Sequence, residues 1–366
     1  MSVLNRIREY FSQPRGRIVF GIDGYIDEVW QIIETRKNTE CFTLREKMKS
    51  FGTLITECQE GGVSNEIIRK RRTYGGFCAN TGKAAASIGA NVILVGMFGK
   101  NAIEPVFEPL QSVCELISVG DPAISHIFEF TDGKIMLPYI QEVTGFNWNT
   151  LKAALMENQL GEIYKNADII ALGYWSLMPA FDEILTGICD NFCRRDGSQR
   201  LFFDFADIRK RDQASLKGSL RLMSNLSCKY DLPMTLSLNE HEARLLFAYS
   251  KEIFDESQPE SIAKALPPLR DKLGLDELIV HTPHFAAGAA GLNEALVVKQ
   301  QYCETPVITT GAGDNFNGGY VAASLGDLTF YERMLVSNAA AGFYVRNGHS
   351  ATAQDIFAEL SMNNDL

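Results

Sequence analysis

Short apolar runs rich in β-branched residues recur at 17–22, 90–99, 167–175, 200–207, 234–239, 277–283 and 295–301, and they constrain the folding of this chain more than any other feature. Between them, segments such as 181–196, 212–229 and 240–250 have helical length and helical apolar spacing. Each crossover helix in such a rhythm must bury its apolar stripe against the strands it connects, which calls for a parallel sheet covered on both faces. The expected fold class is α/β, with a doubly wound, mostly parallel sheet. At roughly 150 residues per domain, 366 residues allow one large unit with an appendage, and no linker, low-complexity tract or internal repeat divides them. The chain reads as a single domain, 1–366.

Two segments break the rhythm. Residues 29–38 and 125–143 read as extended, and Asp132-Gly133 is a hairpin signal between alternating residues. Strands that leave a parallel sheet and return are placed to cover its carboxyl edge, where open α/β sheets bind ligands. A small β-strand lid, inserted at about 25–40 and 122–145, is therefore expected.

With 46% hydrophobic and 22% charged residues, the chain is neither disordered nor fibrous. Its longest uncharged stretch, 84–99, has 16 residues and is broken by glycines, whereas a membrane-spanning helix needs about 20 apolar ones; no membrane partner is expected. Arg6, Arg8 and Glu9 precede any apolar stretch, unlike a secretory signal, and eight cysteines without a C-x-x-C pair read as reduced thiols. Both features point to the cytoplasm. Cys189 and Cys193 read as packing residues, since no histidine lies near them. A net charge of −10 argues against nucleic acid. Only Arg69, Lys70, Arg71 and Arg72 run the other way; they are expected at a helix end, where cations complement the carbonyl pole. Because Tyr74, Gly75 and Gly76 follow, a contact to an anionic substrate group is the alternative.

The most informative stretch, Thr309-Thr310-Gly311-Ala312-Gly313-Asp314-Asn315-Phe316-Asn317-Gly318-Gly319, follows an extended segment and enters an apolar helical pattern. Three small residues let the backbone approach a ligand, and their amides with the positive helix pole form a site for phosphate oxygens. An aspartate there would repel phosphate, but beside a γ-phosphate it can take the proton of an attacking hydroxyl. A dinucleotide fingerprint fails at Phe316. The nearest Walker loop, from Gly76 to Gly82 and Lys83, has the wrong spacing and Ala84 in place of Ser or Thr.

Together these residues resemble the ribokinase-like (PfkB) carbohydrate kinase family, from about residue 17 to 355. Thr310-Gly311-Ala312-Gly313-Asp314 looks like its C-terminal signature, and Gly75-Gly76-Phe77-Cys78-Ala79-Asn80, followed by Ala84-Ala85-Ala86-Ser87-Ile88-Gly89, like its N-terminal one. Asn239-Glu240-His241-Glu242 is similar to its N-x-x-E element. The resemblance implies Asp314 as the base, with Gly311, Ala312 and Gly313 as the anion hole. Asn239 and Glu242 would organise Mg²⁺ and its water around ATP, Glu242 acting through water. Gly75, Gly76 and Asn80 would face the sugar; Thr310 would lie with the nucleotide phosphates, and Asn338 and Gly348 where the family wraps the base.

The chain also departs from the family pattern. Ile308 stands where the family carries an acid linked to monovalent-cation activation, so the resemblance gives no ground for potassium dependence. The early sugar-binding aspartate is matched by either Asp23 or Asp27. His281-Thr282-Pro283-His284 replaces the T-L-G element, leaving Thr282 on a remodelled nucleotide side, and Pro283 spoils the helical spacing of a histidine metal pair. Asp204, Asp207 and Arg209 lie at a strand end, where similar kinases place a sugar-contacting arginine. Phe146, Trp148 and Trp175 are candidates for the acceptor pocket or for the core. The implied activity is transfer of the γ-phosphate of ATP to a hydroxymethyl group of a sugar or sugar-like acceptor, by a homodimer joined through its lids. A nucleoside kinase of the same fold and a non-catalytic sugar or nucleotide sensor remain as alternatives; Asp314 beside an intact Gly-Ala-Gly loop argues against the sensor.

Overall fold

Successive side chains of a strand face opposite ways, and this chain uses that alternation to build two cores on one sheet. The computed structural model describes residues 2–13, 16–292 and 294–362. Its strands, in chain order, are β1 (Arg17–Gly21), β2 (Tyr25–Arg36), β3 (Phe42–Leu44), β4 (Ile67–Gly75), β5 (Asn91–Gly96), β6 (Glu115–Ser118), β7 (Ala123–Phe130), β8 (Gly133–Tyr139), β9 (Ile169–Gly173), β10 (Arg200–Asp204), β11 (Met234–Asn239), β12 (Glu277–His281), β13 (Phe285–Ala290) and β14 (Glu294–Lys299). Nine of them form one sheet in the order β14-β13-β12-β11-β10-β9-β1-β5-β6. From β12 to β6 all neighbours are parallel, while β13 and β14 close the edge antiparallel. On one face Ile18, Phe20, Leu94, Ile169 and Phe202 pack with the helices Phe77–Ser87, Ala312–Ala323 and Phe330–Asn347. On the other, Val19, Val95, Ile170, Phe203 and Leu236 pack with the helices Phe181–Phe192, Gln213–Tyr230, Glu240–Ser250 and Pro259–Leu273. The doubly wound, ribokinase-like reading of the fold is what the structure shows. Phe146 and Trp175 are buried in the second core, and Trp148 packs against it.

A smaller sheet stands apart, in the order β3-β2-β7-β8 with β4 on the free side of β2. The two-residue turn Thr131-Asp132 joins β7 and β8 as the hairpin signal predicts, but the end of the segment read as extended is a short helix, Gln141–Gly145. One expectation is overturned. Arg69–Arg72 are not at a helix end: they lie in β4, paired antiparallel to β2. Their charges meet acids on neighbouring lid strands, Lys70 and Arg71 at 2.9 and 3.0 Å from Glu129, Arg69 and Arg72 each 3.6 Å from Glu28. Cross-strand pairing of opposite charges explains the run, and the acids that neutralise it are distant in sequence.

The sheet also fixes where a ligand can sit. β1 lies between β5 on one side and β9 on the other, and chain order reverses there, which opens a crevice at the carboxyl ends of the strands. Deeper, Glu277 on β12 accepts hydrogen bonds from Arg333 (2.7 Å), Thr235 (2.7 Å) and Tyr320 (2.7 Å), tying the Phe330–Asn347 helix to the sheet. Both ionised side chains are nearly inaccessible to water, 8% and 10% exposed for Glu277 and Arg333. Removing one partner of such a pair strands a charge, at a cost of about 3–5 kcal/mol. Arg333→Met should lower unfolding stability by that amount in urea titrations, and Arg333→Met combined with Glu277→Leu should recover most of the loss.

Candidate active site

Gly311 enters the Ala312–Ala323 helix with φ +92°, a conformation that disfavours any side chain, and Asn315 Nδ2 donates to its carbonyl at 2.9 Å. This leaves the amides of Gly313 and Asp314 without a main-chain acceptor among the described residues, the usual condition of a helix start and a ready anion site. The helix sits unusually close to its neighbours. A Cβ on Gly318 would lie 2.5 Å from Ala84 Cβ, and one on Gly319 3.0 Å from Ala340 Cβ. The paired glycines thus seat the helix between Phe77–Ser87 and Phe330–Asn347, with its first turn at the crevice.

Asp314 is half-buried there, accepting from Asn80 Nδ2 at 3.1 Å and from Thr81 Oγ1 at 3.0 Å. Burial, with Asp204 and Asp23 nearby, pushes its pKa up to about 8, against the pull of those two hydrogen bonds. Asp204, at the end of β10, accepts from the Ala206 amide at 2.8 Å and Asn317 Nδ2 at 2.7 Å; its pKa is raised by burial to about 6. Glu242 follows β11, and Asn239 caps its helix: Asn239 Oδ1 accepts from the amides of His241 and Glu242, while Glu242 Oε2 accepts from the Asn239 amide at 3.0 Å. Its other oxygen, Oε1, is buried with no partner, and burial followed by the Asp204 charge drives its pKa well up. Asp204, Asp207, Arg209, Asn239, Glu242, Gly311, Gly313 and Asp314 line one cavity of about 370 Å³. Arg209 is there but engaged, its guanidinium held by Asp207 at 2.7 Å.

Another wall of the crevice is built by β1, β2 and β4. Asp23 is fully buried; Oδ1 takes the Cys78 amide at 2.9 Å, Oδ2 has no partner, and burial raises the pKa to about 7. Gly76, at φ +94°, makes room for it, since a Cβ would stand 2.1 Å from Asp23 Oδ2. Gly75 does the same for Asp27, with 2.5 Å to Oδ2; burial raises Asp27 to about 6 although Lys134 and Ser125 pull the other way. Asp23 and Asp27 therefore both face the glycine pair. Sequence reasoning missed Lys134. From the lid strand β8 its Nζ donates to Thr310 Oγ1 at 2.5 Å, setting a cation beside the anion hole. Its only sequence signal is its place directly after the hairpin glycine.

A second cavity of about 320 Å³ is lined by Asn239, His281, Thr282, Pro283, Tyr302, Ala312, Gly313, Phe316, Asn338 and Val345, among others. The His281 ring stacks on Phe316 at 4.8 Å, and burial lowers its pKa to about 4, so it is neutral at physiological pH. Asn338 Nδ2 donates to the carbonyls of Val298 and Lys299. Thr282 shapes its turn, Oγ1 accepting from the amides of His284 and Phe285. Gly348 is not brought in: it ends the Phe330–Asn347 helix at φ +76° and backs onto Val307. As for a metal, no group of three or more His, Cys, Asp or Glu among the described residues is arranged to hold one. The partnerless Glu242 Oε1 beside Asp204 and Asp207 instead suits a hard divalent ion that keeps most of its water. Gly76→Ala should lower the melting temperature, as thermal denaturation would show, because the new methyl group collides with Asp23 and any side chain is strained at φ +94°.

Comparison with known proteins agrees with this geometry. A sequence model of the prokaryotic ketohexokinase family matches residues 4–362. A ketohexokinase of Haloferax volcanii is 27% identical over 355 residues, 94% of this chain and 90% of that protein. Among solved structures, a ribokinase of Arabidopsis thaliana complexed with ribose and ATP superposes with a TM-score of 0.65 at 16% identity, covering 96% of this chain and 100% of the other. A putative ribokinase II of E. coli in complex with ATP and Mg²⁺ gives 0.64 at 13% identity, covering 95% and 100%. An open α/β sheet, an anion-binding helix start with a half-buried carboxylate, and a family match over nearly the whole length converge: the chain belongs to the prokaryotic ketohexokinase family and is a carbohydrate kinase.

Proposed function

We propose that this protein transfers the γ-phosphate of ATP to a hydroxymethyl group of a ketohexose, with Asp314 as the base. The observation that carries this reading is the position of Asp314, between the free amides of its own helix start and the Asn80–Thr81 pair that belongs to the acceptor side. The acceptor hydroxyl donates its proton to Asp314, and the alkoxide attacks phosphorus as the bond to ADP breaks; the amides of Gly313 and Asp314 take up charge on the transferring group. Lys134 closes the opposite side and, with the lid, keeps water from competing. Asp23, with an oxygen free, and Asp27 hold sugar hydroxyls. Adenosine occupies the second cavity, where neutral His281, Phe316, Pro283 and Tyr302 offer apolar surface. Glu242 and Asn239 would hold Mg²⁺ through water, where it would offset phosphate charge. A cytoplasmic setting, where ATP is at hand and the eight cysteines stay free, belongs to the same reading.

Ketohexoses, aldohexoses, pentoses and nucleosides offered with Mg-ATP should differ in rate, with ketohexoses giving the highest kcat/KM in an ADP-release assay; preference for a nucleoside would sink the reading. Asp314→Asn should lower kcat by about 10²–10⁴-fold with KM values little changed. The base must be ionised, so kcat/KM falls as pH drops through the raised pKa of Asp314. The outer strand of the lid, β8, leaves Met136, Leu137 and Tyr139 45%, 57% and 57% exposed. This supports a homodimer joined lid to lid; sedimentation should find a dimer that Leu137→Lys weakens.

A further inference from the structure

Asp314 is only as well aimed as the helix that carries it, and one buried amide fastens that helix near its start. Asn317 lies three residues beyond Asp314 and is completely enclosed. Its Oδ1 accepts from Ser237 Oγ at 2.7 Å and its Nδ2 donates to Asp204 Oδ2 at 2.7 Å. A single side chain thus spans the ends of the neighbouring strands β10 and β11. The orientation of the amide is forced, because an ionised Asp204 only accepts and the carbonyl end must then meet a donor, the Ser237 hydroxyl. Asp204 is fixed from its other side too, by the amide of Ala206, which holds φ +58°. Left-handed backbone at an alanine persists only where its surroundings impose it.

We propose that Asn317 is a positioning residue for phosphoryl transfer: it ties the helix of Asp314 to the ends of β10 and β11. This inference rests on Asp314 being the base. An unsatisfied amide at this depth would be costly, and Asn317 has both ends of its amide paired.

The test measures kcat and both KM values for Asn317→Ala and Ser237→Ala in the intact enzyme, with Asp314→Asn alongside. Misplacing a reacting group slightly is expensive in rate, so Asn317→Ala should lower kcat roughly ten- to hundredfold, with either KM changed less than about threefold. Ser237→Ala should do the same more weakly. A normal kcat in both variants overturns the proposal, and so does a loss that appears in the KM values and not in kcat. If Asn317→Ala does not fold, Ser237→Ala still decides. An active Asp314→Asn enzyme would instead remove the base assignment on which the inference stands.

Discussion

Asp23, Asp204, Glu242 and Asp314 gather at the carboxyl edge of the parallel sheet, where water is scarce and like charges repel, and much of the remaining structure answers that crowding. Burial raises the pKa of every one of them. The protein offsets the cost with fixed dipoles. The Cys78 amide reaches Asp23, the Ala206 amide reaches Asp204, and the Asn239 amide reaches Glu242. Each comes from a helix start or a tight turn directly after a strand, which is where a parallel sheet delivers unpaired N–H groups. The site is thus a consequence of the topology. A crossover helix must begin near the carboxyl end of its strand, and its free donors then face the same crevice as the acids.

The lid carries the opposite sign of charge. Across its strands partly exposed cations meet acids, Arg71 and Lys70 with Glu129, Arg69 and Arg72 with Glu28. Lys134 is different: its hydrogen bond leads out of the lid, to Thr310. A cation carried on an element separate from the main sheet can stand over the anion hole without being built into the strongly acidic crevice beneath. Asp132, beside it in the hairpin, is occupied elsewhere, receiving the Met48 amide at 2.6 Å and the Lys49 amide at 3.3 Å at the start of the Met48–Glu57 helix.

The parts of this arrangement legible in the sequence are those encoded locally. The Gly-Ala-Gly-Asp turn, the Asn239–Glu242 cap and the Gly75-Gly76 pair each need particular residues at fixed short spacing, so their chemistry can be read from the letters alone. The central strands were legible because burial on both faces makes them continuously apolar. Three things were not. β4 is a run of cations with no apolar alternation, and its strand character comes from acids on β2 and β7. β13, with the sequence FAAGAA, carries too little β-branched bulk to announce itself. The reach of Lys134 to a residue 176 positions away is a property of the closed lid and leaves no local trace. Gly348, placed by the resemblance where the family wraps the base, ends the Phe330–Asn347 helix with a positive φ.

The raised pKa of Asp314 has a further consequence for a kinase whose competing nucleophile is water. Burial favours the protonated form of Asp314 in the empty site, which, on the proposal that it is the base, works against activation of a water molecule. A hydroxyl donating to the carboxylate favours the ionised form, so an acceptor bound beneath the lid would promote the state that deprotonates it. Bulk water could donate the same hydrogen bond, but the shelter that raises the pKa also restricts its supply. On that mechanism burial acts twice in one direction: it favours the protonated base while the pocket is empty, and it makes the bound alcohol the donor best placed to ionise it.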